Sequence, residues 1–262
     1  MYLSYVRIEN RYSALTLLCW ILWILPSCQK AGEDELPDQA NLEFRFHPLM
    51  QGTPLSFSKT YTLPNGERFE PRVFKFYSGQ ITGQRTGGGT INSSGDPYYL
   101  ADAAQPASLT IKTSIPAGSY QSFQFLLGVD SARNVSGVQS GALDPLKGMF
   151  WTWNSGYIFA KLEGRSPDAT TPNNLVEYHI GGFRVPYNAA QTISLPVSGT
   201  AQLKAGQTLV VDIDVELEKW FTGPYPLSIA SNAVSMTPGE LAWNISRNFS
   251  GLFTVTQSSV EE

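Results

Sequence analysis

Cysteine is almost missing from this chain. Its 262 residues hold two, Cys19 and Cys28, and Cys19 lies inside an apolar run, Ala14–Pro26 (ALTLLCWILWILP). Once that run is removed, as expected below, no pair remains for a disulfide. A thiolate-dependent blue-copper site, a zinc ribbon and a cysteine nucleophile go with it. Histidine is as scarce, with only His47 and His179. Charged residues make up 15% of the chain and form no basic cluster, which excludes a nucleic-acid partner. No Gly-x-Ser-x-Gly occurs, so a Ser-His-Asp triad would lack its nucleophile elbow. The Gly/Ser-rich stretch 83–97 lacks the Gly-Lys-Ser/Thr ending of a phosphate-binding loop and reads as a surface loop. Glu216 and Glu218 share a strand face with no aromatic pocket to separate their pKa values. These gaps together give the expectation that the protein is not an enzyme.

What is present begins with a targeting segment. Arg7 and Arg11 precede the apolar run, which has signal-peptide length and is too short for a comfortable transmembrane helix. It ends in Leu25-Pro26-Ser27-Cys28, which resembles the bacterial lipobox, whose cysteine is acylated and becomes the first residue. Residues 1–27 are therefore read as a lipoprotein signal peptide and Cys28 as the lipidation site. Loss of Arg7, Glu9 and Arg11 takes a net +1 from the formal charge of −4, leaving −5. Residues 28–40 are polar, acidic and Pro-containing and read as a flexible linker. Lys30 followed by Glu33-Asp34-Glu35 resembles acidic signals that send some lipoproteins to the cell surface. The expected location is the outer membrane, on its periplasmic face or at the cell surface, with the lipid as the membrane contact.

The domain is expected over 41–262. Leu42, Phe44 and Phe46 alternate with Glu43, Arg45 and His47, the period of a half-buried strand. Leu209, Val211, Ile213, Val215 and Leu217 alternate with Asp212, Asp214 and Glu216 in the same way, and the acidic row reads as a solvated face. Further strands are expected around Val73–Tyr77, Ser108–Thr113, Tyr120–Val129, Phe150–Trp153, Tyr157–Glu163, Leu175–Ile180 and Thr192–Val197. A helix is expected over Pro238–Phe249, capped by Thr237, with Leu241, Ile245 and Phe249 recurring at fours. Many short strands between turn signals give an all-β fold, a β-sandwich with one or two short helices.

Both histidines fall on the non-core side of their strands, and the rim of a sandwich is where two such side chains could meet. Spacing alone does not make that a metal site. Trp151 and Trp153 share one strand face with Met149, where core packing is the usual role of large aromatics.

Five blocks then occur in order: Phe44-Arg45-Phe46-His47, Leu127-Gly128-Val129-Asp130-Ser131, Gly148-Met149-Phe150-Trp151-Thr152-Trp153-Asn154-Ser155-Gly156-Tyr157, Lys161-Leu162-Glu163-Gly164 and Tyr178-His179-Ile180-Gly181-Gly182. In this order they resemble the MbnP-like family of copper-binding proteins, named for a methanobactin-operon member and related to surface copper proteins of methanotrophs. The likeness runs from about Asn41 to Phe253. It implies a periplasmic or surface β-sandwich that binds copper through two histidines, which here are His47 and His179. In studied relatives a third donor is kynurenine, made from a tryptophan by a di-haem cytochrome c peroxidase-like partner; Trp153 or Trp151 is the residue that this implies here. Trp153 lies nearer the Asn154-Ser155-Gly156 turn, and Trp151 further into the strand. In some relatives the modified tryptophan stands two residues before a ligand histidine, whereas here those positions hold Arg45 and Glu177.

The expected function is therefore copper binding in the cell envelope. The rival is a surface glycan- or protein-binding sandwich without a metal. Replacing Cys28 by Ala should move the protein from the membrane to the soluble fraction, because stable anchoring takes more than one acyl chain. A Cys28→Ala protein that stays in the membrane pellet would refute the anchor. Protease added to intact cells should cleave the domain if it faces outward; protection until the outer membrane is breached places it in the periplasm.

Overall fold

Alternation on two long strands sets the architecture. In the computed structural model, which describes residues 38–152 and 155–262, fifteen strands follow in chain order. The first eight are β1 Gln39–Met50, β2 Thr53–Pro54, β3 Tyr61–Thr62, β4 Arg68–Arg85, β5 Thr90–Asn92, β6 Tyr98–Asp102, β7 Thr110–Pro116 and β8 Gly118–Leu127. The rest are β9 Phe150–Thr152, β10 Gly156–Arg165, β11 Leu175–Gly181, β12 Gln191–Leu203, β13 Thr208–Glu216, β14 Val234–Ser235 and β15 Phe253–Glu261. Three short helices, α1 Ser131–Val135, α2 Lys219–Thr222 and α3 Glu240–Ser246, make one more than expected. The signal peptide, Cys28 and most of the linker lie outside the described residues, as does Trp153.

The strands form two sheets, an all-β sandwich. The smaller runs β15-β13-β1-β2, with β7 also on β1; the larger runs β12-β8-β4-β10-β11-β14. In the smaller sheet β1 and β13 are parallel, with His47 opposite Asp214. In the larger, β4 pairs with β10 through its first half and with β8 through its second. A bulge between Gly79 and Thr82 separates the halves and flips the face that each side chain takes.

The core lies between the sheets and is dominated by phenylalanine. Phe46 from β1 meets Phe76, Phe125 and Phe253 edge-on, at centroid distances of 5.2, 5.9 and 6.1 Å. Edge-to-face packing suits the ring quadrupoles, and each ring also removes a large apolar surface from water. Trp220 of α2 is fully buried at one end of this core against Phe249 and Phe74.

Several boundaries differ from the sequence reading. β1 starts at Gln39, because small, apolar Ala40 is buried opposite Ile115. The stretch 83–97 is not a plain loop: β4 continues to Arg85 and turns through Gly88 and Gly89, both at positive φ, into β5. The expected helix is shorter, Glu240–Ser246, and its N-cap is Gly239 without a side-chain cap, rather than Thr237.

Phe46→Ala should cost about 3–5 kcal/mol, since a large ring leaves a cavity among four others. Urea unfolding checks this; a loss under about 1 kcal/mol would mean that the two sheets do not share this core.

Candidate functional site

The core fixes where both histidines point. Phe44 and Phe46 face inward, so His47 faces out from the smaller sheet, and its Nε2 lies 2.7 Å from Asp212 Oδ1 on β13. Tyr178 faces inward against Trp220, so His179 faces out from the larger sheet. Its Nε2 lies 2.6 Å from Glu163 Oε1 on β10. The imidazoles thus stand on opposite outer surfaces, with the core between them. Packed sheets are separated by roughly 10 Å, and outward side chains add to that, whereas a metal–nitrogen bond is about 2 Å. One ion cannot be held by both. The expected meeting at the rim does not occur, because each histidine lies within its strand on a face fixed by its inward neighbours. Among the described residues no group of three or more His, Cys, Asp and Glu side chains comes together to hold a metal. The two-histidine donor set therefore does not fit this structure.

The surroundings of the two residues differ. The His47 side chain is 46% exposed, that of His179 only 9%. The segment between β8 and β10 folds back over β10 and reaches β11 through Trp151 at Gly181. Several contacts hold it there. Asn134 Oδ1 accepts from the Tyr157 backbone N–H at 2.8 Å, Tyr157 donates its hydroxyl to Leu143 O, and Lys161 Nζ donates to Gly148 O at 2.7 Å. Ile158 N–H donates to Met149 O, which keeps β9 hairpinned on β10.

This fold-over brings Trp151 onto Gly181 of β11. A Cβ on Gly181 would clash with the Tyr157 backbone carbonyl and stand 2.9 and 3.1 Å from Trp151 Cζ3 and Cη2, so the carbonyl and the benzo edge of the indole together occupy the space that a side chain there would need. Gly181 is two residues from His179 on the same face of β11, about 7 Å along the strand. Trp151 Nε1 is buried without a hydrogen-bond partner, as is Nε1 of the core residue Trp220. The His-Ile-Gly-Gly block thus has a local logic. His179 takes the outward carboxylate, Ile180 enters the core, Gly181 admits the indole, and Gly182 turns the chain at φ 123°.

The carboxylates were missed as partners. Glu163 and Lys161 share the outward face with His179, and Lys161 Nζ lies 3.6 Å from Glu163 Oε1. The signal was the alternation of Lys161-Leu162-Glu163, but which residue faces His179 depends on a pairing register that spacing does not reveal. Asp212, read as a solvated member of an acidic row, is the partner of His47. A neutral imidazole that donates Nε2–H to a carboxylate is left with Nδ1 as its acceptor, the arrangement in which histidine serves as an oriented ligand.

A double-layered, all-β sandwich with a histidine–carboxylate pair on one outer face and an indole two residues along the same strand is the class that fold and site define. The sequence profile of the MbnP family matches residues 39–238, and the chain belongs to that family. It is similar in fold to the solved structure of MbnP from Methylosinus trichosporium, with a TM-score of 0.54 and 14% identity over 77% of this chain and 83% of that one. No curated protein matches the chain.

The hydrogen bond from His179 holds the Glu163 carboxyl below its ordinary 4.5; partial burial opposes this and Lys161 adds to it. With the folded value below the unfolded one, ionised Glu163 stabilises the fold above about pH 4.5, and that stabilisation drains away as pH falls through the lowered value. Thermal midpoints recorded from pH 6 to 3 should therefore drop more steeply for the wild type than for Glu163→Gln. Parallel curves would show that the pair contributes nothing to the acid limb.

Proposed function

We propose that this MbnP-family protein is a lipid-anchored binding protein of the cell envelope, not itself a catalyst, that takes copper at His179 rather than between His47 and His179. The observation that carries the reading is the largely buried His179 with Glu163 on its Nε2, and the Trp151 indole two residues along the same strand, against Gly181. A neutral imidazole nitrogen suits Cu(II), which favours nitrogen donors in tetragonal sites. An intact indole has only a donor N–H and cannot ligate. Oxidative opening to kynurenine would turn that nitrogen into an aniline, and the buried, partnerless Nε1 is the atom so converted. The oxidising power comes, in this reading, from a di-haem peroxidase-like partner. Trp151, whose indole packs on Gly181 two residues from His179, is the residue given this role here; Trp153 lies outside the described residues. His47, exposed and paired to Asp212, is a separate imidazole in this reading.

Two measurements test it. A ligand that binds only the folded state at a hundredfold excess over its Kd stabilises by about 2.7 kcal/mol. Thermal unfolding with Cu(II) should show that shift in the wild type and in His47→Ala, and lose it in His179→Ala. Equal shifts in both single variants would sink the His179 site. Peptide mass spectrometry across residues 148–161, on protein from the native host and from a host without the partner, should show an opened tryptophan only in the former. Unmodified tryptophan in both removes the partner from the reading and leaves His179 alone.

A further inference from the structure

The other half of the larger sheet has an open outer face, and it forms a groove. Its volume is about 480 Å³, within the range of small-ligand sites. The floor is the outward side of β4, β8 and β12, and one wall is the loop between β5 and β6. Six polar side chains face it: Thr82, Asn92, Ser93, Asp96, Gln124 and Thr192. Among the described residues none of the six is engaged in a side-chain hydrogen bond or ion pair with the protein, whereas Gln80 at the groove's edge is.

The groove is built rather than incidental. The β-bulge at its edge puts Gln80, a non-glycine residue, at φ 48°, a conformation that costs energy and clusters at functional positions. The surrounding bonds hold Gln80 there: its backbone N–H donates to Pro97 O at 2.8 Å, and its side-chain amide to Tyr98 Oη at 3.3 Å and Asp130 Oδ2 at 3.0 Å. The wall is pinned as well, by Ser94 N–H to Ser114 O and by Thr113 Oγ1 to Ser94 O. A site whose walls are already ordered loses less freedom on binding.

Its chemistry narrows the ligand. No lysine or arginine lines the groove, which removes phosphates and other anions. Its apolar lining is mainly Leu126 and Pro97, too little for a lipid or an amphipathic helix. It is a sheet face and not a sheet edge, so an added peptide strand would find no free ladder. Amides and hydroxyls remain, groups that both donate and accept, together with one carboxylate that accepts. Sugar hydroxyls both donate and accept in the same way. We propose that this groove binds a neutral glycan, at a site separate from the His179 cluster.

The test is an NMR titration of the whole protein with cellohexaose, maltohexaose and mannohexaose, and with an oligogalacturonate as the anionic control. A chelator is kept present throughout, so that the result stands whether or not the copper reading does. At least one neutral hexaose should bind, with shifts centred on residues 80–97 and 122–126. The Asn92→Ala, Gln124→Ala double variant should weaken it by about tenfold, as expected when ligand hydroxyls lose paired side chains. Thr192→Trp, which fills the groove from an exposed position, should abolish it. Unchanged thermal midpoints confirm that these surface variants fold. The proposal is overturned if no neutral hexaose binds, if the oligogalacturonate binds more tightly, or if binding survives both variants.

Discussion

Phe46 lies at the centre of the molecule, edge-on to rings from β4, β8 and β15, and much else follows from its being locked there. Side chains on a strand alternate with a period of two, so a residue committed to the core commits its neighbour to the opposite surface. Phe46 inside puts His47 outside on the smaller sheet. Tyr178, held inside by Trp220, puts His179 outside on the larger. Moving either histidine to the other face would need a one-residue register slip that expels a buried aromatic ring. The same packing that makes the sandwich stable therefore forbids the two imidazoles from meeting.

The fold was largely legible in the residues because alternation is local. LEFRFH and LVVDIDVEL each announce a strand and its buried face, and both strands occur with those faces inward. The positions of the two histidines relative to their own strands were readable for the same reason. Their relation to each other was not, because it depends on which sheet each strand joins, a long-range matter that period two leaves open. Glu163 and Asp212 escaped notice on similar grounds. Each becomes a histidine's partner only once the registers of β10 on β11 and of β1 on β13 are set. Gly181 is the instructive case: in sequence it is half of a Gly-Gly pair, and only the Tyr157 backbone carbonyl and the Trp151 indole packed against it explain why no Cβ is tolerated.

The segment between β8 and β10 brings the Trp151 indole to the strand that carries His179. Asn134 does most to anchor it, with its amide donating to Val129 O and Asp130 O while its oxygen accepts from Tyr157 N–H. A buried side chain with both ends satisfied locks the excursion onto the strand beneath. Tyr157 then meets Phe150 at 4.8 Å and Tyr77 at 5.9 Å, a small second core on the outside of the larger sheet. This cover shields the Trp151 Nε1 from bulk solvent.

The bulge in β4 divides the larger sheet between two kinds of surface. Before it, Lys75 and Tyr77 face outward, Tyr77 beneath the covering segment. Beyond it, Ile81 turns inward while Thr82 faces out beneath open groove. One extra residue thus changes the facing of everything downstream, and Gln80 absorbs the backbone cost. Its amide is held by Tyr98 and Asp130, and Asp130 also caps α1 by accepting from Arg133 N–H. Asp130 therefore ties the first helix of the covering segment to the edge of the open groove. The two surfaces differ in chemistry, one dry and aromatic, the other wet and amide-lined, but they share this carboxylate as a structural joint.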